Sequence, residues 1–255
     1  MMAGSSPTSD FRLPTSSVHV LGVRVDDVTT DETLALIECF IAERAPHQIC
    51  TVNPEFVMRA QQDEAFRNVV NNASLCLPDG IGLLWAARRL GHPLRERVAG
   101  SDMVGQIAAR AAQFGWRMYL LGAAPGVADK AAEILQARRP GLVIAGTFPG
   151  SPVPDEEEAI VEQIRAARPD VLLVAFGAPA QDVWIARNQS RLQAPVAMGV
   201  GGSLDFIAGV AQRAPAWMRR LGLEWLHRLV YEPWRWRRQL ALPRFVWHVL
   251  TARQN

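Results

Sequence analysis

"VLLVAFGAPAQDVWIARN", residues 171–188, sets an unbroken apolar run against a glycine and then a helical stretch. An apolar run of strand length with no polar alternation is a strand covered on both faces, as in a parallel sheet. The same unit recurs outward from it. "QICTVN" (48–53), "SLCL" (74–77), "MYLLG" (118–122), "LVIAGTF" (142–148) and "VAMGVG" (196–201) are strand-length apolar runs alternating with helical patterns. "VHVLGVRV" (18–25) reads as a first strand, before a helix in which Leu34, Ile37 and Ile41 keep a helical spacing. β-α alternation of this kind predicts an α/β fold, a mostly parallel sheet with helices on both faces. There is no internal repeat. The acidic run "PDEEE" (154–158) reads as a helix start, where carboxylates offset the N-terminal dipole, rather than as a metal site.

Ligands of such sheets bind beyond the carboxyl ends of the strands. That rule selects Thr51, Asn53, Asp79, Gly122, Gly177 to Gln181 and Gly199 to Ser203. Each also has a plain structural explanation. Asp79-Gly80 is a turn dipeptide, and Asp79 could simply cap a helix starting near Ile81. Its other reading is a carboxylate at the ligand edge, raised in pKa by apolar neighbours and able to accept a proton from a hydroxyl. Thr51 and Asn53, two apart, share a strand face, and Asn53 before Pro54 is also a helix N-cap. Arg97, in the loop "RERVAGSDM" (95–103), suits a phosphate or a sugar, or solvent. "LGAAPGVADKAAEIL" and "GVGGSLDFIAG" are strand, glycine-rich turn and helix, whose backbone N–H groups suit phosphate; neither is a P-loop or a G-x-G-x-x-G.

With 49% hydrophobic residues in 255, the chain has the makings of one large domain with or without an appendage. Residues 1–17 are polar and aperiodic, read as a loose tail without the apolar centre of a secretion signal. No stretch approaches the roughly 18 consecutive apolar residues of a spanning helix. Cys39, Cys50 and Cys76 form no C-x-x-C pair and lie in apolar surroundings, as reduced thiols do.

The net charge of +2 is unevenly placed. Residues 213–255 hold nine arginines against two glutamates, and five of the eight tryptophans. This segment is purely helical in pattern, with Pro233 and Pro243 expected to break it into short helices. Tryptophans among arginines suit the surface of an anionic membrane, with a helical cap packed on the core as the alternative. The expected division is a tail over 1–17, an α/β core over 18–212 and a basic helical appendage over 213–255. There is no D-x-D, G-x-S-x-G or H-E-x-x-H, so no metal held by paired carboxylates and no cofactor are expected, and His19, His47, His92, His227 and His248 are scattered. No nucleic-acid partner is expected.

Together these segments resemble the WecG/TagA/CpsF family of bacterial glycosyltransferases, over about residues 18–242. "TVNPEF", "LPDGIGL", "ERVAGSDM", "YLLGAAPGVADKA", "VAFGAPAQDVWI", "GVGGSLDFIAG" and "APAWMRRLGLEWLHRLVYEPWRWRRQL" carry the resemblance, in the family's order. It implies a Rossmann-like core with a membrane-associating C-terminal appendage, and inverting, metal-independent transfer from a UDP-sugar to a polyprenyl-diphosphate-linked acceptor. It implies Asp79 as base, with Thr51 and Asn53 beside it. Gly80, Arg97, Gly122, Gln181 and Gly201 would bind substrate, and Arg228, Arg235 and Arg238 would close over the donor diphosphate. The expected place is the cytoplasmic face of the bacterial inner membrane, held peripherally through residues 213–255. Apolar core surface bared when the C-terminal segment 213–255 is displaced would favour homo-oligomers. One departure is Pro179-Ala180-Gln181-Asp182 where the family often has Pro-Lys-Gln-Glu. The rival readings are a non-catalytic membrane adaptor and an NAD-dependent oxidoreductase; the first strand-helix turn, "VRVDDVTTDE", lacks the glycines of the latter.

Overall fold

The computed structural model describes residues 16–231, 236 and 240–252, without the side chains of Arg220 and Arg228. The expected tail up to residue 15 lies outside these residues. Six parallel strands form the central sheet: β3 (His47–Val52), β4 (Leu75–Pro78), β5 (Arg117–Gly122), β6 (Val143–Phe148), β7 (Val171–Ala175) and β8 (Val196–Gly199). Their order is β4-β3-β8-β7-β5-β6, every pair parallel. The chain runs from β3 outward to β4 on one side, while β5 to β8 fill the other. The β3–β8 boundary is therefore the point where the winding reverses, and a crevice opens there beyond the strand ends.

Both sheet faces are covered, which is why the strands lack alternation. Ile49, Leu75, Met118, Leu120, Leu173 and Met198 meet one layer: α1 (Thr30–Glu43), α5 (Gly100–Phe114), α6 (Val127–Arg138) and α9 (Ser203–Ala208). On the opposite face, Cys50, Val52 and Cys76 pack on α2 (Pro54–Ala60), α3 (Glu64–Asn72) and α4 (Ile81–Arg89). Farther along that face, Tyr119, Leu121, Leu172 and Val174 pack on α7 (Pro154–Ala167) and α8 (Ala180–Leu192). The local signals are visible in the caps. Thr29 and Glu32 form a reciprocal capping box at α1, and Pro154 with three carboxylates in the first turn opens α7, the helix start read from "PDEEE".

Two elements differ from the sequence reading. Residues 18–25 are not one strand but a hairpin, β1 (Ser17–Val20) and β2 (Val23–Asp26), forming a separate antiparallel pair. Leu21 and Gly22 both take positive φ in the two-residue turn, the geometry that matches strand twist in a tight hairpin. Pro243, expected as a breaker, lies in the first turn of α12 (Ala241–Thr251), where its missing N–H is harmless. Pro233 lies outside the described residues. The C-terminal segment also contains α10 (Ala216–Arg220) and α11 (Glu224–Tyr231). It is not a free-standing appendage: α12 buries Phe245 and Val249 in the same cluster as α2, α3 and α4.

Candidate active site

A cavity of about 260 Å³ opens at the β3–β8 boundary, beyond the carboxyl ends of β3, β4, β7 and β8. Five helices begin at its wall. Pro54 and Phe56 belong to α2, Ile81 and Gly82 to α4, Gly100 and Ser101 to α5, Gln181 to α8 and Ser203 to α9. Helix N-termini present backbone N–H groups and partial positive charge, so the cavity favours anions before any side chain is counted.

The structure brings Thr51, Asn53, Asp79, Gly80, Arg97, Gln181 and Gly201 into this one cavity. They come from segments up to 150 residues apart in the chain. Gly122 does not line it. A Cβ there would lie 2.7 Å from the Ala175 backbone, so its glycine allows β5 and β7 to approach. The side chain of Arg228, and all of Arg235 and Arg238, lie outside the described residues.

Each side chain has a local cause for its position. Asn53 is the N-cap of α2, its Oδ1 accepting from the Phe56 N–H at 3.0 Å, which leaves the amide NH₂ end to meet a ligand. Thr51 is buried against Gly100, where an added Cβ would fall 2.7 Å from Thr51 Cγ2. Asp79 follows β4 directly, and its backbone N–H donates to Val52 O at 2.8 Å. The N-cap position of α4 is held by Gly80, not by Asp79. Asp79 Oδ2 accepts from the Gly100 N–H at 3.2 Å, at the start of α5. The turn reading and the ligand-edge reading therefore meet: Gly80, at φ +110°, makes the turn, and the carboxylate is held at the cavity by a neighbouring helix. Gly80 and Gly82 also lie against the Pro54 ring, which lets α4 and α2 start side by side.

Arg97 is placed by its neighbour Val98, whose N–H donates to Pro78 O at 2.9 Å. Its guanidinium Nη1 donates to Glu224 Oε2 of α11 at 2.9 Å. Around that pair lies a larger network. Arg213 reaches Asp102 at 2.7 Å and donates to Ser101 Oγ at 2.7 Å, and Arg219 stands 3.5 Å from Asp102. Three guanidinium groups thus share two carboxylates in this network beside the cavity. Gln181 is 2% exposed, and its Oε1 accepts from the Gly201 N–H at 2.9 Å.

Sequence reading missed that the C-terminal segment supplies cavity wall through Gly222, Glu224, Trp225 and Leu242. Only Gly222 carries a local signal, a glycine between helices; its Cα lies so close to Ile81 that a Cβ would fall 2.9 Å from Ile81 Cδ1. Among the described residues no group of three or more His, Cys, Asp and Glu gathers as a metal site.

The model of the glycosyl transferase WecG/TagA/CpsF family matches residues 18–255. The chain belongs to this glycosyltransferase family. Among curated relatives, the N-acetylglucosaminyldiphosphoundecaprenol N-acetyl-β-D-mannosaminyltransferase of Bacillus subtilis (strain 168) is 34% identical over 85% of this chain and 84% of its own. The enzyme of the same name from Bacillus spizizenii is 35% identical over 89% of this chain and 87% of its own. That of Staphylococcus aureus (strain NCTC 8325 / PS 47) is 32% identical over 97% and 98%. The cavity is thus the candidate active site of a WecG/TagA/CpsF glycosyltransferase, and the matched span includes the whole C-terminal segment that closes its wall.

Proposed function

We propose that this glycosyltransferase moves a hexose or N-acetylhexosamine, N-acetylmannosamine first among them, from a UDP-sugar to a hydroxyl of a polyprenyl-diphosphate-linked saccharide. Transfer proceeds with inversion and without a metal, at the cytoplasmic face of the bacterial inner membrane. The observation that carries this reading is the convergence of Thr51, Asn53, Asp79, Arg97 and Gln181 on one cavity ringed by helix N-termini. The relatives' names supply the acceptor class and the sugar.

The geometry supports the following chemistry. Asp79 takes the proton of the acceptor hydroxyl. The oxygen attacks the anomeric carbon on the face opposite UDP, a C–O bond forms, and the bond from that carbon to the β-phosphate oxygen breaks. The electron pair leaves with UDP, whose diphosphate gains negative charge. The α4, α5 and α8 N-termini and Arg97 are fixed in place before the reaction, so they stabilise that charge without reorganising. Arg97 is held by Glu224 in the unliganded protein, and the diphosphate takes the place of that carboxylate. Arg228, Arg235 and Arg238 would add cations over the same group.

The C-terminal helices supply the membrane contact. Trp217 is 59% and Trp247 68% exposed, with Leu221, Val230, Tyr231 and Leu250 also exposed among basic residues. No described helix is long and apolar enough to cross a membrane, so contact is at the surface.

The test is a panel of UDP-sugars offered with undecaprenyl-diphosphate-N-acetylglucosamine, reading UDP release and the anomeric configuration of the product by NMR, with and without EDTA. Inverted product from UDP-N-acetylmannosamine, undiminished by EDTA, is expected. Retained configuration, or activity restored only by a divalent cation, would refute the mechanism.

A further inference from the structure

Behind the cavity lies a carboxyl that this mechanism does not use. Asp182, the third residue of α8, is completely buried. Its oxygens make no hydrogen bond of full geometry among the described residues, and their polar neighbours are the Cys50 thiol and the Gln181 amide. Its backbone carbonyl accepts from Gln48 Nε2 at 2.9 Å, so α8 is pinned to β3 at this residue. Beside it, Gln181 reaches the cavity wall. Both side chains press on the bare α-carbon of Gly199 at the end of β8. A Cβ there would lie 2.5 Å from Gln181 Nε2 and 2.9 Å from Asp182 Oδ1. The Gln181 amide therefore has two ends with different neighbours. Its Oε1 meets the Gly201 N–H, and its NH₂ end is on the side shared with Asp182.

We propose that Asp182 is a positioning residue, steering the NH₂ end of Gln181 toward itself so that the amide oxygen stays on the Gly201 N–H at the edge of the cavity. The inference rests on the functional reading above. A reversed amide would set NH₂ against the Gly201 N–H, donor against donor. Loss of the carboxyl would let that reversal and a tilt of Gln181 occur.

Among the described residues no cation faces this carboxyl. β7 and β8 carry no titratable side chain in "VLLVA" and "VAMG". β3 contributes the Cys50 thiol and β4 the Cys76 thiol, and beyond them Arg24 of β2 is paired with Asp26. From α7, Glu157 is engaged with Arg187 and Arg191 of α8, and on α3 Glu64 pairs with Arg67. Burial pushes the Asp182 carboxyl up to about 7, with the Cys50 thiol, the Gln181 amide and its own backbone N–H opposing that rise only in part. Burial also raises Cys50 and drives Cys76 up to about 12, so both thiols stay neutral where Asp182 titrates. Above neutrality the carboxylate would place a buried negative charge behind the seat of a leaving diphosphate, opposing the charge that develops there.

The test compares wild type, Asp182→Asn and Asp182→Ala in full-length protein, with UDP-N-acetylmannosamine and undecaprenyl-diphosphate-N-acetylglucosamine across pH 5.5 to 8.5. Wild-type kcat should fall about tenfold per pH unit above about 7. Asp182→Asn, isosteric and uncharged, should keep at least about a third of kcat at pH 6 and lose that alkaline limb. Asp182→Ala should be at least about tenfold slower at every pH with an unchanged circular dichroism spectrum. Infrared spectra of wild type should show a protonated carboxyl band that vanishes near pH 7 and is missing from Asp182→Asn. An alkaline limb unchanged in Asp182→Asn, no such band at pH 6, or wild-type kcat in Asp182→Ala would each overturn the proposal. Absence of transfer by wild type would refute the functional reading alone. The infrared titration and the pH dependence of UDP binding would still decide for or against Asp182.

Discussion

The strand-end cavity and the C-terminal helices are held by different forces. In the cavity, Thr51, Asn53, Asp79 and Gln181 are each fixed by a backbone hydrogen bond or by contact with a bare glycine α-carbon. Among the described residues the C-terminal helices join the core through Phe245 and Val249, through the close approach of Gly222 to Ile81, and through a charged seam of Asp102 and Glu224 with Arg97, Arg213 and Arg219. They leave tryptophans facing outward. The first region is built before substrate arrives. The second is a seam of ion pairs that salt screens, and on the proposed function a donor diphosphate would compete for Arg97 within it.

The largest effect that sharpens this contrast is expected from Arg97→Ala. It belongs to both regions, so kcat/KM should drop about 100-fold or more, and added guanidinium should restore part of it. A loss under threefold would show that the helix N-termini suffice. Next, Phe245→Ala should destabilise the whole core, not only the C-terminal helices, by about 3–4 kcal/mol in a single urea transition. Two separate transitions would restore the picture of an independent appendage. Third, Trp217→Glu with Trp247→Glu should cut binding to phosphatidylglycerol vesicles about tenfold while UDP affinity stays the same. Equal vesicle binding would remove these tryptophans from the membrane contact. The smallest effect is expected from Glu224→Gln, which removes the nearer of two carboxylates beside Arg97 and leaves Asp102 at 3.8 Å. UDP should bind about two- to fivefold more tightly, and the gain should shrink in high salt. Weaker binding would mean that Glu224 holds the cavity wall rather than occupying the diphosphate seat.

The two regions also differ in how far they could be read from sequence. The six sheet strands are legible because burial on both faces leaves continuous apolar runs such as "VLLVA" and "QICTV". The strand-end rule then finds Thr51, Asn53, Asp79 and Gln181 without any contact being known. The hairpin at residues 18–25 is hidden because Leu21 takes positive φ where Asn or Gly would have announced a turn. Glu224 cannot be found locally, since its partner Arg97 lies 127 residues away. Asp182 looks like any carboxylate in the first turn of a helix, and its complete burial is a fact of tertiary packing alone. Composition sets residues 213–255 apart, yet it cannot show that α12 returns to the core, because Phe245 and Val249 carry the same apolar signal as the outward-facing Val246 and Trp247.

The account rests most heavily on Asp79 as the group that takes the acceptor proton. Asp79→Asn should therefore be measured for both UDP affinity, by calorimetry, and turnover with the lipid-linked acceptor. The account predicts UDP binding within about threefold of wild type and kcat lower by about a thousandfold. Turnover within about threefold of wild type would contradict it.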